Sequence, residues 1–415
     1  MSTDLDIHFF KGSENIIKSE TREDKEPLEK IKDSFSKVLD GKNLSFLLGC
    51  GCSSFIVDEN EVGIPTMLQL AKEFYSVVLK EEGAAELKDK LNLDVSAEKF
   101  KKNLEFFLGT LHSAEFFYEN TDNTEEECKL VKDTIKQVKE FLIEKMLNEE
   151  NKEEGKDQPI NKLYEKFYGK LLYRNTNLPK ANIFTTNYDL YSEHALDRLG
   201  IHYVNGFTGG IKKYFNPTIF NYALAERMDL SQSKWSVIDN FFYLYKIHGS
   251  INWIEDKEDS KLFQVREIQD ATFENLKDGE TIMIHPTPLK QNASLGSPYS
   301  DLFREFQKKL MQNNNVLVTI GYSFSDEHIN NLIYQAFTIP SFRLIVTGSP
   351  TPDSEIEKLK QLDDPRIWII GGNLEGGKKL HYFNGFIDNV LPDLSNDDID
   401  DKIENAIKTL LKKNE

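Results

Sequence analysis

Short apolar runs separated by polar and glycine-rich stretches set the pattern of this chain. Residues 44–48, 182–186, 241–248, 316–320, 342–347 and 366–370 are nearly continuous in apolar, aromatic or β-branched side chains. Runs of that length without alternation predict strands buried on both faces, as in a parallel sheet. A further run begins at Ile282 and is broken by Pro286. Between the runs the apolar period lengthens to that of a helix. Tyr188, Tyr191, Ala195 and Leu199 share one face, with Gly200 as a stop. Ile329, Leu332, Ile333 and Ala336 do the same after Ser325, the expected cap, with Asp326 and Glu327 complementing the helix dipole. Helices are also expected over 29–39 and 299–311, and at Thr66, where Gln69 completes a capping-box pattern.

Strands alternating with helices predict an α/β fold, a doubly wound, Rossmann-like parallel sheet. Its large helical insertion spans about 84–180, where Val131, Ile135, Val138, Leu142 and Met146 recur at helical spacing. The charge runs there read as solvated faces, and no chemistry is expected from them. The polar stretch 148–158 reads as a loop. The expected organisation is an amino-terminal arm and lead-in helix (1–40), the main domain (41–395) and a carboxyl-terminal amphipathic helix (396–415). Residues 1–28 read as a loose arm, and 58–62 as a polar flap.

Composition narrows the functions open to such a fold. The 415 residues are 39% hydrophobic and include 28 Phe and 16 Tyr, enough for a substantial core. The formal charge of −18 disfavours direct binding of nucleic acid or anionic membrane. No apolar run approaches the ~18 residues of a membrane span. With only Cys50, Cys52 and Cys128, neither a disulfide framework nor an all-cysteine zinc site follows. A cytoplasmic protein is the expectation.

Four runs end on residues that bear chemistry. Leu48 leads into Gly49-Cys-Gly-Cys-Ser53, Phe184 into Thr185-Thr-Asn-Tyr-Asp189, Ile247 into His248-Gly249, and Ile320 into Gly321-Tyr-Ser323. In a parallel sheet such ends point one way and line one crevice. Each motif has a plainer reading: ordinary turns for the glycines, a helix cap for Asn187 or Asp189, a satisfied core histidine for His248. Phe55, Tyr188 and Trp253 read as core aromatics, and His285 as packing against Pro286. The ordered set is what favours a site.

In that order, and with Gly63-Ile-Pro65 after the first loop, the motifs resemble the Sir2 family. The forms Thr185-Thr-Asn-Tyr-Asp189, His248-Gly-Ser-Ile-Asn-Trp253 and Gly321-Tyr-Ser-x-x-Asp326 are similar to the Sir2-like NAD hydrolases of bacterial anti-phage defence. Two departures separate the chain from sirtuin deacylases. No pair of Cys-x-x-Cys motifs follows His248, and Gly-Ile-Pro continues as Thr66-Met67-Leu68 where those enzymes have Asp-Phe-Arg.

The resemblance implies NAD+ as substrate, no metal, and hydrolysis of the nicotinamide–ribose bond to nicotinamide and ADP-ribose. It assigns Gly49, Gly51 and Ser53 to the pyrophosphate through backbone N–H groups, and Gly321 and Ser323 to the adenosine half. Asn187 would position water against the ribose, and His248 would be the general base. Asp189 would hold a ribose or carboxamide group, or order the loop. It also implies a homo-oligomer and a HerA-like hexameric ATPase as partner. Two alternatives remain open: a non-catalytic sensor of NAD+ or ADP-ribose, and a zinc-free deacylase or ADP-ribosyltransferase.

Overall fold

A computed structural model of the chain describes residues 6–19, 26–57, 60–122, 124–147, 159–175, 177–229, 234–238, 240–256, 265–277, 281–283 and 297–393. The expected loop at 148–158, His285 with Pro286, and the expected helix at 397–415 lie outside them. Among the described residues, nine strands form the main sheet: β1 (Asp6–Lys11), β2 (Glu14–Asn15), β3 (Asn43–Leu48), β4 (Asn182–Thr185), β5 (His202–Val204), β6 (Phe241–Lys246), β7 (Asn315–Ile320), β8 (Arg343–Thr347) and β9 (Ile367–Asn373). Their spatial order is β2-β1-β9-β8-β7-β3-β4-β6-β5. β3 to β9 pair in parallel, as their unbroken apolar character predicts.

Burial on both faces explains that character. Along β3, Leu44, Phe46 and Leu48 enter one hydrophobic cluster and Leu47 the other. Along β7, Val316, Val318 and Ile320 face the first cluster and Leu317 the second. The first cluster takes in helices Pro27–Leu39, Glu125–Leu147 and Pro159–Leu172; the second takes in Tyr299–Leu310 and Glu327–Ala336. Each buried Phe or Leu contributes roughly 1.5–3 kcal/mol. The fold is α/β with helices on both faces of a largely parallel sheet, as expected.

Several local expectations give way to tertiary structure. The segment expected to be a loose arm includes β1, which pairs antiparallel with β9 and covers what would otherwise be a sheet edge. The run 241–248 stops as a strand at Lys246; after a turn at His248 the chain enters Gly249–Glu255, part of a separate five-stranded antiparallel sheet. The Thr281–Met283 strand belongs to that second sheet and not to the parallel one. The helix expected from Tyr188 begins at Tyr191. Thr66 precedes the Met67–Glu73 helix but makes no side-chain cap. The expected flap forms a backbone hairpin of Ser54–Val57 with Asn60–Gly63; residues 58 and 59 lie outside the described set.

The topology places one special point. From β3 the chain proceeds to β4 on one side, and β7 later takes the other side, so the direction of winding reverses between β3 and β7. Ligands of doubly wound sheets bind beyond the carboxyl ends of strands at such a point. Here the turns after β3 and β7 touch backbone to backbone. Gly49 N–H donates to Ile320 O at 2.9 Å and Gly51 N–H to Gly321 O at 3.0 Å. A Cβ on Gly49 would lie 2.5 Å from Gly321 O, and one on Gly321, whose φ is +61°, 2.7 Å from Cys52 N.

Gly49→Ala is therefore expected to cost about 1–3 kcal/mol, and Gly321→Ala more, because its positive φ adds strain. Gly169→Ala, with nothing within 4 Å of the added methyl, is the matched comparison and should be neutral or stabilising. Urea unfolding of the three variants checks this; equal stability would refute the close-contact account.

Candidate functional site

Four strand ends and part of the helical block enclose a cleft of about 390 Å³ at the switch point. That lies within the ~300–1,000 Å³ range of small-molecule pockets. Ser53, Asn187, Asp189, His248 and Ser323 all line it, so the residues selected from separate stretches of sequence meet in space. Gly49, Gly51 and Gly321 form the closely packed floor described above.

Asn187 is held from two sides. Its backbone N–H donates to Thr185 Oγ1 at 3.0 Å, and Thr185 Oγ1 donates in turn to Leu48 O at 3.0 Å. Its Nδ2 donates to Gly49 O at 2.9 Å, so the carbonyl Oδ1 is the acceptor that remains for the cleft. The plainer reading of Asn187 as a helix cap does not apply. Asp189 takes that kind of role: Oδ1 accepts from Tyr191 N at 3.1 Å and Oδ2 from Ser53 Oγ at 2.6 Å. These bonds favour the loop-ordering side of its expected roles over direct contact with ribose or carboxamide.

The expected donation of N–H groups to phosphate needs correcting for the first loop. Gly49 and Gly51 give theirs to the β7 turn, and Ser53 N–H donates to Cys50 O at 3.0 Å. The glycines serve close backbone approach, which is the other reason a chain requires them. Cys52 is a buried thiol donating to Ile320 O at 3.2 Å, the plain reading of a small buried cysteine.

His248 sits in the turn between the two sheets, with Nε2 3.2 Å from Asp326 Oδ2. Asp326 also caps the Glu327–Ala336 helix, its Oδ1 accepting from His328 N at 2.9 Å and Ile329 N at 3.3 Å. Ser325, the expected cap, instead accepts from Ser323 Oγ at 3.0 Å. The turn carrying Ser323 is pinned by Asn330, which donates to Phe324 O at 2.7 Å and accepts from Tyr322 OH at 2.9 Å. One carboxylate thus fixes a helix end and the histidine together. The Gly321-Tyr-Ser-x-x-Asp326 spacing held this signal, because it carries the aspartate from the strand end to the helix start.

The helical block, from which no chemistry was expected, reaches the site. Asn103 accepts from Phe106 N at 3.0 Å and so caps the Leu104–Glu119 helix, while Glu105 in its first turn lines the cleft. Tyr188 OH donates to Glu105 Oε1 at 3.4 Å. Nothing in the local sequence distinguished Glu105 from the block's other acidic residues. Trp253 lies in the core against Phe207, ring centres 4.9 Å apart, as its plain reading had it. Among the described residues, the lining includes Glu105, Asp189 and Asp326 and no lysine or arginine. No group of three metal-ligating side chains occurs among the described residues, and no helix among them is long and apolar enough to cross a membrane.

Desolvation first, and the Glu105 carboxylate second, hold the Cys50 thiol above its ordinary value. Its thiolate fraction at a given pH is therefore smaller than that of a free cysteine, and Cys50 should alkylate slowly at pH 8. Glu105→Gln removes one cause of the rise, so it should speed alkylation of Cys50 by iodoacetamide while leaving Cys128 unchanged. Peptide mass spectrometry reads both sites; an unaltered Cys50 rate would mean that Glu105 does not act there.

No curated protein matches the chain. A family model does: residues 181–362 match the SIR2-like domain, a stretch that holds Asn187, Asp189, His248, Ser323 and Asp326 and stops short of the Gly49–Ser53 loop. That match supports a relationship to the Sir2 family over this stretch, and a SIR2-like domain fits an NAD-related function in general.

Proposed function

We propose that the chain is an NAD+ glycohydrolase that cleaves the nicotinamide–ribose bond to give nicotinamide and ADP-ribose. The observation that carries this reading is the His248–Asp326 pair, 3.2 Å apart, in one cleft with Asn187. A base held by a carboxylate beside an oriented amide is the arrangement that activation of water requires.

In the reaction, water adds to the ribosyl carbon as the carbon–nitrogen bond breaks, and the bonding pair leaves on the nicotinamide ring. The transition state resembles an oxocarbenium ion, as in other glycosidic cleavages. Asn187 Oδ1 accepts from the attacking water or a ribose hydroxyl and fixes its approach. His248 takes the proton that water releases. The Asp326 carboxylate, with Oδ2 3.2 Å from Nε2, stabilises the imidazolium once formed. Glu105 and Asp326 supply negative potential for the positive charge of the ribosyl centre. Ser323, beside the Glu327–Ala336 helix, contacts the adenosine half, and Gly321 lets the backbone approach it. Gly49 and Gly51 shape the floor under the pyrophosphate, and Ser53 with Asp189 keeps the Asn187 loop in place.

The resemblance to defence NAD hydrolases extends the reading. The chain acts as an anti-phage effector that depletes NAD+ in the cytoplasm, within a homo-oligomer and with a HerA-like hexameric ATPase as partner. The deposit of negative charge, −18 in all, supports partner proteins over nucleic acid as its contacts.

Purified protein incubated with NAD+ should release nicotinamide, measured by chromatography. Binding of NAD+ without release would replace the hydrolase with a sensor, and acyl-lysine peptide turnover would replace it with a deacylase. Asn187→Ala and His248→Ala should each lower turnover by about 10²–10⁴-fold. Asp326→Asn should lower it less, with an unchanged melting temperature, since asparagine caps a helix as well as aspartate does. The exposed His202→Ala serves as the histidine control. Wild-type turnover in His248→Ala would move the base elsewhere.

A further inference from the structure

Lys246 ends β6 inside the protein, with about 1% of its side chain exposed. Its ammonium has three donors, and three acceptors meet them: Glu193 Oε1 at 3.0 Å, Tyr188 O at 3.3 Å and Asp189 O in a short bond. Two of these acceptors are backbone carbonyls of the residues that directly follow Asn187. The third stands on the Tyr191–Arg198 helix, which the same loop feeds. Tyr188 O also accepts from Ile251 N at 3.1 Å and Ser250 Oγ at 3.3 Å. The Asn187 loop is thereby tied to the β6 end on one side of His248 and to Gly249–Glu255 on the other.

A buried ion pair is poor evidence of added stability, because desolvation offsets the attraction, and its better-attested use is to fix geometry. Glu193 fits that use. Its Oε2 is buried with no hydrogen-bond partner among the described residues, an unfavourable arrangement if stability alone mattered. Lys246 also lies two residues from His248, so one side chain spans from the strand that leads into the base's turn to the loop of the amide.

From this geometry we infer that Lys246, paired with Glu193, is a positioning residue that sets the Asn187 loop in register with His248. The inference rests on the reading of the cleft as an NAD+-cleaving site. Lys246 touches no reacting atom; it acts through the carbonyls of Tyr188 and Asp189. An ångström of misplacement in such a constellation costs about 10²-fold in rate.

The test removes both charges together, so that neither is left buried alone. Lys246→Met/Glu193→Leu replaces the pair with apolar side chains, and Lys246→Gln/Glu193→Gln with neutral polar ones. Nicotinamide release, thermal melting and backbone hydrogen exchange are measured on each full-length protein. The expected result is a fall in kcat of about 10²-fold with little change in KM, a near-native melt, and faster exchange at 186–191 but not in β7. A folded double variant with wild-type kcat and wild-type exchange would overturn the proposal. Failure of both variants to fold would also overturn it, by making the pair a stability element. If wild-type protein releases no nicotinamide, the hydrolase reading fails, and the exchange comparison still decides whether Lys246 holds the loop.

Discussion

The contact between the turn after β3 and the turn after β7 is the constraint on which the site depends. Two backbone hydrogen bonds, Gly49 N–H to Ile320 O and Gly51 N–H to Gly321 O, join segments 270 residues apart in sequence at the point where the winding reverses. No side chain fits between them. The first turn presents Gly49 O to Asn187, and the second continues through Tyr322 and Ser323 to Asp326, which meets His248. A shift of either turn would therefore move the amide and the histidine's carboxylate at once. That is the physical meaning of the glycines, and it differs from a cradle of N–H groups around an anion.

Much of this arrangement was legible in the sequence, for reasons that can be named. Parallel strands buried on both faces must be apolar throughout, so β3, β4, β7 and β8 stand out against the charged chain. A motif that must sit at a strand end carries its strand with it, which is why Asn187, His248 and Ser323 could be placed before their contacts were known. What was not legible depended on partners distant in sequence. β1 is a strand because β9 offers it an edge, and nothing within residues 6–11 demanded that. The second sheet was not legible because its strands are short and pair across long intervals.

The same distinction applies within the site. Asp326 was visible as a helix-start residue, and its second role was not, because Asp326 and His248 are 78 positions apart and only the fold joins them. Lys246 read as one polar residue in an apolar run. Its partners, two carbonyls and Glu193, carry no sequence signature, since any residue supplies a carbonyl. Glu105 is the extreme case: a carboxylate in a block full of carboxylates, distinguished only by which way its helix points.

The electrostatics of the cleft bear on how a dinucleotide would lie in it. Carboxylates at Glu105, Asp189 and Asp326, with no lysine or arginine among the described lining residues, give a wall of negative potential. A pyridinium-bearing ribose is favoured against such a wall and a pyrophosphate is not. Each of the three charges has partners: Asp189 in Ser53 and Tyr191 N, Asp326 in His248 and the helix end, and Glu105 in Tyr188 OH. Glu105 is the carboxylate contributed by the helical block, and it approaches Tyr188 beside Asn187. Under the proposed reaction the positive ring then belongs on the Glu105 side and the phosphates away from it, over the floor that Gly49 and Gly51 shape. The block expected as a solvated insertion places Asn103, Glu105 and Met146 in the cleft, and under the proposed reaction Glu105 would be the charge that faces the positive ring.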